Sequence, residues 1–574
     1  MTSRSISLPK RKSFTSGLSP ETIHVILLML AAIVMISPTV FWGMPSSRDL
    51  SNHFRFALPF YDALRSGHLY PGWLAESNGG FGDASFRFYP PALYYLLALL
   101  RAITGDWYAA SVSTFAVLSA LGALGVYFWA REFGSSETAM WAGMFYSVAP
   151  YHLNQLFQAL MLAEFAGAAV LPFAFAFTER VCRHRRGRDV AGLAIAYALL
   201  VLTHLPLAVI GSMALFVYAL LRTDRKKLWA TISALSFSVA LGLAASACYW
   251  TTMLLEVKWI RADNVNPEPG LDYRDNFVLS TFSTNYLNVW WMNILLFASL
   301  AMFWPALVLW RRSARERLQV DQKKNSISNG TTALGLLLLQ TLFMATPLSR
   351  PIWTAIRPLQ ETQFPWRWLS ISSMVCAMLL SLSIPFWRRL AIRKRPLVMF
   401  AFGTFAIAFA FSLSHIVREA HWLSPAEFQQ TLNSIPGSQG VYQWLPIWTK
   451  DQLPSMSSTV EAGDRKITIE QWEPERRVFR VDAGQSSAAR VRTFFYPHWK
   501  ATANGRDLDV YPDQQGAIVL ALPPNAETVT LEFREPERVR FATVATLIGW
   551  MIIGGLFLAS KFSNSQAKQL ECVK

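Results

Sequence analysis

One short stretch near the start of the chain, "SSRDLSNHFRFALPFYDALRSG" (46–67), is rich in ionisable residues, among them Asp49, His53, Arg55 and Asp62. Asp49 and His53 are four residues apart, so on a helix their side chains share one face. A carboxylate in such a place can act as a general base or a metal ligand. The alternative is that Asp49 caps the helix by accepting hydrogen bonds from its free N–H groups.

A second polar cluster lies in "SVAPYHLNQLFQALMLAEFAGAAVLPF" (147–173), which contains Tyr151, His152 and Glu164. Glu164 stands inside an apolar run. A carboxylate in a membrane segment is unfavourable and indicates a functional site unless it has a partner. The alternative is that Glu164 is the packing partner of a nearby Arg or His.

Two further segments contain residues that could bind an anion or move a proton. "LLVLTHLPLAVI" (199–210) places His204 at a turn, where a lone histidine more often has a structural role. "ETQFPWRWLS" (361–370) places Gln363 and Arg367 at the start of a helix. The forked donors of Arg367 suit a phosphate. The alternative is an interfacial aromatic belt with a snorkelling arginine.

The composition shows which elements must position these residues. The chain has 574 residues, of which 52% are hydrophobic and only 16% charged, against about 25% charged in soluble domains. The apolar runs reach the roughly 17–25 residues that span a bilayer. The net charge of +16 comes from basic runs between apolar segments, the positive-inside pattern of membrane proteins. This distribution argues against nucleic-acid binding, and no nucleotide-binding motif is present.

The basic loops also predict the topology, because each should be cytoplasmic. They fall on one side only if the first helix (23–43) crosses outward and the apolar stretch 91–105 is interfacial or re-entrant. Both termini are then cytoplasmic, and all four polar clusters lie at the outer face. The predicted spans number twelve: 23–43, 108–131, 137–151, 161–180, 189–204, 205–221, 229–250, 287–310, 331–347, 367–387, 396–416 and 541–560.

A β-rich domain is predicted near the C-terminus. Short runs rich in Val, Thr and Phe predict strands, and Asn504-Gly505 predicts a hairpin turn. We expect a small extracytoplasmic β-sandwich tethered by helices at both ends. The predicted strands are 478–483, 490–497, 517–523 and 528–533. The predicted organisation is a cytoplasmic tail (1–22), a transmembrane domain (23–416) with an outer loop (44–107), the β-rich domain (417–540), a last helix (541–560) and a cytoplasmic tail (561–574).

The ordered motifs resemble those of a known group. "FRFYPPALYYLLALLRAITG" (86–105), and an Asp just after the first helix, resemble the GT-C superfamily of membrane glycosyltransferases. The chain resembles most the bacterial membrane proteins labelled 6-pyruvoyl-tetrahydropterin synthase-related. That resemblance rests on "RDLSNHF" (48–54), "GGFGDASFRFYPP" (79–91), "APYHLNQLFQALMLAEF" (149–165), "LTHLPLA" (202–208) and "TQFPWRWLS" (362–370).

The resemblance implies a GT-C-like fold and sugar transfer from a polyprenyl-phosphate donor to a glycan, lipid or protein acceptor outside the cytoplasmic (inner) membrane. Asp49 would be the general base, and Glu164 a second acid that orients the acceptor or a metal. Arg367, with His204, would hold the donor phosphate. The implied pocket also contains His53, Tyr89, Tyr151, His152 and Gln363.

The resemblance does not decide between a metal-dependent and a metal-independent site, and two other classes of function are considered. The superfamily's usual Asp-Glu pair is here "RDL", with Leu50 in place of the second acid, so a divalent metal is neither required nor excluded. The alternatives to a transferase are a transporter or flippase for a lipid-linked or anionic solute, and a non-catalytic envelope assembly protein.

Overall fold

The computed structural model describes residues 18–261, 270–307, 325–436, 438–485 and 487–572. Most of this chain is helical. The helices are α1 Pro20–Ile36, α2 Pro38–Phe41, α3 Arg48–Arg65, α4 Ser77–Gly80, α5 Ala92–Thr104, α6 Trp107–Ala130, α7 Ser136–Ser147, α8 Pro150–Phe157, α9 Leu162–Arg183, α10 Gly187–Thr203, α11 Leu205–Arg222, α12 Leu228–Ala245, α13 Ala247–Glu256, α14 Leu287–Phe303, α15 Asn325–Ala345, α16 Arg350–Ala355, α17 Arg357–Gln360, α18 Trp368–Arg393, α19 Arg395–Glu419, α20 Pro425–Asn433 and α21 Glu537–Cys572.

In the described residues, eight helices are long and apolar enough to cross a membrane, and a bent pair formed by Gly330–Ala345 and Pro347–Ala355 is a ninth candidate. The other three predicted spans coincide with shorter helices: α7 has 12 residues, and α10 and α14 have 17 each. Each of the twelve predicted segments therefore contains a helix, and residues 308–310 of the predicted span 287–310 lie outside the described residues. The eight or nine candidates are identified by length and composition. The three short helices account for the difference between that number and the twelve predicted spans.

The segment between α1 and α6 contains two helices that lie outside the span candidates. Helix α3 is amphipathic, with its apolar face in the main hydrophobic core. Helix α5 has 13 residues and ends at Gly105, whose φ of 74° gives a left-handed C-cap. At 1.5 Å per residue α5 is about 20 Å long, shorter than the roughly 30 Å hydrocarbon layer. Its length agrees with the predicted non-spanning segment.

The strands are β1 Met44–Ser46, β2 His421–Leu423, β3 Val460–Glu461, β4 Ile467–Trp472, β5 Arg476–Val481, β6 Ser487–Phe494, β7 Trp499–Ala503, β8 Arg506–Leu508, β9 Val510–Pro512, β10 Ala517–Leu522 and β11 Glu527–Phe533. Strands β1 and β2 pair antiparallel, Met44 opposite Leu423. The other nine form two antiparallel sheets, ordered β3-β6-β10-β9 and β4-β5-β11-β7-β8.

The two larger sheets pack face to face as a β-sandwich. The inward side chains alternate along each strand, as in Val529 and Leu531 on β11, because successive residues of a strand point to opposite faces. The predicted hairpin joins β7 to β8, with positive φ at Asn504 (46°) and Gly505 (82°). Side chains of the segment between α3 and α5 complete the same core: Trp73, Phe81, Ala84 and Phe88.

A buried ion-pair network joins the sandwich to the helical part of the chain. Its centre is Glu256, the last residue of α13, which is completely buried. Its carboxylate accepts hydrogen bonds from the Nε of Arg87 at 2.6 Å and the hydroxyl of Tyr496 at 2.8 Å. His498 Nε2 lies 2.9 Å from it, and Arg538 Nη2 at 3.0 Å. Since a buried carboxylate needs such partners, this network fixes the sandwich against α13.

Candidate functional site

Four of the predicted site residues lie at the starts of four different helices. Asp49 is the second residue of α3 and Glu164 the third residue of α9, while His204 caps α11 and Arg367 directly precedes α18 without a capping hydrogen bond. A helix N-terminus carries a partial positive charge and free N–H groups, which favour an anion nearby. The electrostatic influence of Arg367 reaches both Asp49 and His204, so the structure brings these helix starts together.

Glu164 and Arg367 form a buried ion pair. The Nε of Arg367 donates to Oε2 of Glu164 at 2.9 Å. Oε1 of Glu164 accepts from the hydroxyls of Tyr151 at 2.7 Å and Ser370 at 3.0 Å. Gln155 in turn donates to the Tyr151 hydroxyl at 2.8 Å. The side chain of Glu164 is 1% exposed, so these donors replace the water that its charge requires.

The guanidinium of Arg367 has N–H donors that are not used in hydrogen bonds to the described residues. Its Nη1 donates to the carbonyl of Thr362, and its guanidinium carbon lies 4.6 Å from the centre of the Phe364 ring. Among the described residues, no group accepts a hydrogen bond from its Nη2. A guanidinium has five N–H donors, so Arg367 can bind a phosphate oxygen while it stays paired with Glu164.

Asp49 is not the cap of α3, and that alternative is wrong. Ser47 is the N-cap, and its side-chain oxygen accepts from the backbone N–H of Asp49 at 3.3 Å. The Asp49 side chain is left to interact with Asn52 and with the charge of Arg367. Burial raises the pKa of Asp49 above the usual value for aspartate, although Arg367 and Asn52 oppose this shift. A carboxylate with a raised pKa is a stronger proton acceptor than an ordinary one.

His53 and Tyr94 form a buried hydrogen-bonded pair near Asp49, and Tyr89 packs against Tyr94. The Nδ1 of His53 lies 2.9 Å from the Tyr94 hydroxyl, and the ring centres of Tyr94 and Tyr89 are 5.8 Å apart in an edge-to-face contact. Burial lowers the pKa of His53 to about 4, so the ring is neutral at pH 7. Burial and the nearby Asp49 raise the pKa of Tyr89. His53 therefore orients the Tyr94 hydroxyl and carries no positive charge at neutral pH.

The loop between α8 and α9 has strained backbone and is held by α3. Leu160 has a φ of +48°, which is rare for a branched side chain. The hydroxyl of Ser47 donates to the carbonyl of Ala159 at 2.8 Å, and the backbone of Leu160 lies close enough to His53 to influence the pKa of its ring. These contacts fix the start of α9, and with it Glu164, relative to Asp49. Gln363 also has a positive φ of 63°, and strained positions of this kind cluster at functional sites.

Three of the predicted residues have surroundings that favour a structural role. His152 is stacked between Tyr146 and Phe165, with ring centres 4.4 and 4.6 Å away, and its Nε2 has no hydrogen-bond partner in the part of the chain that the structure describes. His204 accepts from the backbone N–H of Leu207 at 3.2 Å. Gln363 is exposed. Their substrate-binding roles remain predictions.

Two site residues were not predicted from the sequence. Tyr94 bonds to His53, and Ser370 bonds to Glu164. A signal for Ser370 existed, because it follows Arg367 by three residues on one helix face. Tyr94 lies in an apolar run and carries no comparable signal.

The fit of the site to a metal ion can be tested on its donors. The described residues contain no group of three or more His, Cys, Asp or Glu placed to hold a metal. Leu50, which follows Asp49, is buried in the hydrophobic core. The donor set around Asp49 and Glu164 therefore does not fit a carboxylate-held cation.

Comparison with solved structures finds similarity at low identity. The chain is similar to the arabinofuranosyltransferase AftD from Mycobacteria (16% identity, TM-score 0.44), over 69% of this chain and 26% of AftD. It is similar to ArnT from Cupriavidus metallidurans, solved with undecaprenyl phosphate (14%, TM-score 0.40, 72% of this chain and 75% of ArnT). It is also similar to the oligosaccharyltransferase AglB from Archaeoglobus fulgidus (14%, TM-score 0.39, 74% and 57%). The chain thus spans about a quarter of the length of AftD.

The sequence model of one membrane-protein family matches residues 86–418, more than half of the 574 residues. The matched range includes Glu164, His204 and Arg367 and begins after Asp49. No sequence among curated proteins matches the chain. The chain belongs to the family described as 6-pyruvoyl-tetrahydropterin synthase related domain, membrane protein.

Proposed function

We propose that this protein is a membrane glycosyltransferase that moves a sugar from a polyprenyl-phosphate donor to an acceptor at the outer face of the cytoplasmic membrane. One observation carries the proposal. A buried carboxylate, Glu164, holds Arg367, whose Nη2 has no acceptor among the described residues, and a second carboxylate, Asp49, lies within electrostatic range of that arginine.

Arg367 supplies the phosphate-binding part of such a site. Its guanidinium is fixed by Glu164 on one edge and by the Thr362 carbonyl. The free edge can donate to two phosphate oxygens, a geometry that a guanidinium matches well. As the donor breaks down, negative charge develops on the departing phosphate, and a preorganised donor there lowers the barrier.

Asp49 supplies the base. In the proposed reaction an acceptor hydroxyl loses its proton to the Asp49 carboxylate, and its oxygen bonds to the anomeric carbon of the sugar. The bond from that carbon to the phosphate oxygen breaks, and the electron pair leaves with the phosphate beside Arg367. The raised pKa of Asp49 brings this base closer to the working pH, which favours proton transfer.

The partners and location follow from the same proposal. The donor is a polyprenyl-phosphate sugar, and the acceptor is a glycan, a lipid or a protein. The basic runs between apolar segments support cytoplasmic termini, which puts Asp49, Arg367 and the β-sandwich on the extracytoplasmic side. No pterin chemistry is proposed, since the described residues contain no cluster of histidines placed for a zinc ion.

The test compares lipids and glycans from a deletion strain complemented with wild type, Asp49→Asn or Asp62→Asn. Asp62→Asn is the matched control, because it makes the same change in the same helix on an exposed side chain. Mass spectrometry should show one saccharide that is missing in the deletion and in Asp49→Asn and present in the control. If Asp49→Asn restores the full profile, Asp49 is not the base. A solute that accumulates in vesicles without a covalent product indicates a transporter instead.

A further inference from the structure

Glu164 has little capacity left for a metal ion or a substrate. A carboxylate offers about four acceptor positions. Three of them are used by Tyr151, Ser370 and Arg367, at 2.7, 3.0 and 2.9 Å. The side chain is 1% exposed. Glu164 therefore acts on the substrate through the groups that it holds.

Of these three partners of Glu164, the guanidinium of Arg367 is the one that carries a positive charge. With a phosphate bound to its free N–H donors, this cation would balance the phosphate charge. Asp49 is a second carboxylate within its electrostatic range, and the neighbouring Leu50 is buried in the core. One half-buried carboxylate is a poor site for Mg²⁺ or Mn²⁺, which take several oxygen ligands.

We infer that the phosphate subsite works without a divalent cation, with Arg367 in the cation's place and Glu164 as the positioning residue that orients it. This inference rests on the proposed polyprenyl-phosphate donor and deepens it. It assigns Glu164 a role different from a second acid that orients the acceptor or a metal. Loss of the Glu164 charge should then weaken phosphate binding specifically.

The chain offers a matched control pair. Arg357 and Glu361 form an ion pair at 3.6 Å with side chains 81% and 71% exposed, a few residues before Arg367. Arg357→Gln and Glu361→Gln make the same chemical changes as Arg367→Gln and Glu164→Gln but outside the buried site. An exposed pair of this kind contributes little to stability.

The experiment measures binding of two probes to the full-length purified protein by native mass spectrometry. The probes are undecaprenyl phosphate and undecaprenol, which share the same tail and differ only in the phosphate. Each is measured in EDTA and with added Mg²⁺ or Mn²⁺. The wild type should prefer the phosphate equally in all three conditions. Glu164→Gln and Arg367→Gln should each reduce that preference by about tenfold or more, because charge-assisted hydrogen bonds are lost.

The binding results separate failure of the metal-free phosphate subsite from failure of the proposed polyprenyl-phosphate donor. A preference that appears only with a divalent cation overturns the inference and leaves the proposed donor class standing. An unchanged preference in Glu164→Gln or Arg367→Gln, or an equal loss in the control pair, also overturns it. Weaker binding of both probes to Glu164→Gln indicates a general structural role and overturns the positioning role. A wild type with no preference in any condition overturns the proposed polyprenyl-phosphate donor as well.

Discussion

The Nε of Arg367 lies 2.9 Å from Oε2 of Glu164, although the two residues are 203 positions apart in the chain. The contact joins the first turn of α9 to the residue that directly precedes α18. It places a fixed cation beside the carboxylate of Asp49, whose pKa responds to it. The proposed chemistry depends on this ion pair, because Glu164 is occupied by Arg367 while Asp49 is the carboxylate proposed to accept a proton.

Asp49→Asn should abolish transfer without lowering stability. The pKa of Asp49 is raised in the folded state, so above that pKa the ionised carboxylate destabilises the fold. Asparagine removes this penalty. Thermal unfolding in detergent should therefore give a midpoint equal to or above that of wild type. A clear drop in the midpoint would mean that the carboxylate stabilises the fold, in conflict with a raised pKa.

Arg367→Lys should retain the positive charge and lose most of the activity. A lysine cannot donate to Glu164 and Thr362 in the same planar geometry and still offer a fork to phosphate. Loss of one preorganised donor typically lowers kcat by about 10²–10³-fold. Single-turnover kinetics with a synthetic donor measure this effect. Activity within a factor of about three of wild type would show that only the charge of Arg367 is used.

Stability should fall as the pH decreases from about 6.5 to about 4, partly because of His53. Its pKa is about 4 in the folded protein and near 6.5 when exposed, so the unfolded chain binds more protons in this range. His53→Asn should flatten that part of the curve. The measurement is the unfolding midpoint against pH for both proteins, and parallel curves would contradict a buried neutral ring.

His152→Phe should preserve transfer and give a stability equal to or above that of wild type. The ring is stacked between Tyr146 and Phe165, and its Nε2 has no hydrogen-bond partner among the described residues. Phenylalanine keeps the stacking and removes an unsatisfied buried nitrogen, which typically costs about 1–3 kcal/mol. Thermal unfolding and donor KM are the readouts. An increase in the donor KM with unchanged stability would indicate that His152 contributes to substrate binding.

His204→Asn should be tolerated better than His204→Ala. His204 caps α11 by accepting from the N–H of Leu207, and asparagine is a good N-cap, whereas alanine loses about 1 kcal/mol. The free energy of unfolding of the two variants tests the cap. If His204→Asn is stable yet transfers no sugar, the imidazole itself contributes to the site.

The sequence by itself determined the broad architecture, because it depends on local patterns. Long apolar runs predict helices wherever they occur, and alternating Val, Thr and Phe predict the strands of the sandwich. Asn504-Gly505 predicts its hairpin because both residues tolerate positive φ. The charge pattern predicts that the polar clusters lie on one side of the membrane. The apolar runs overestimated the length of helices such as α7, which ends at Ser147 and not at residue 151.

The tertiary structure alone decided which polar residues meet. Ser47 and Asp49 are both good caps, and only the extended backbone of Ser47 selects it. The sequence showed Glu164 as an acid in an apolar run, but the choice of Arg367 as its partner depends on how α9 and α18 pack. Trp73 and Phe81 enter the sandwich core for the same reason. Contacts between distant residues are set by packing of the whole chain, and no local pattern records them.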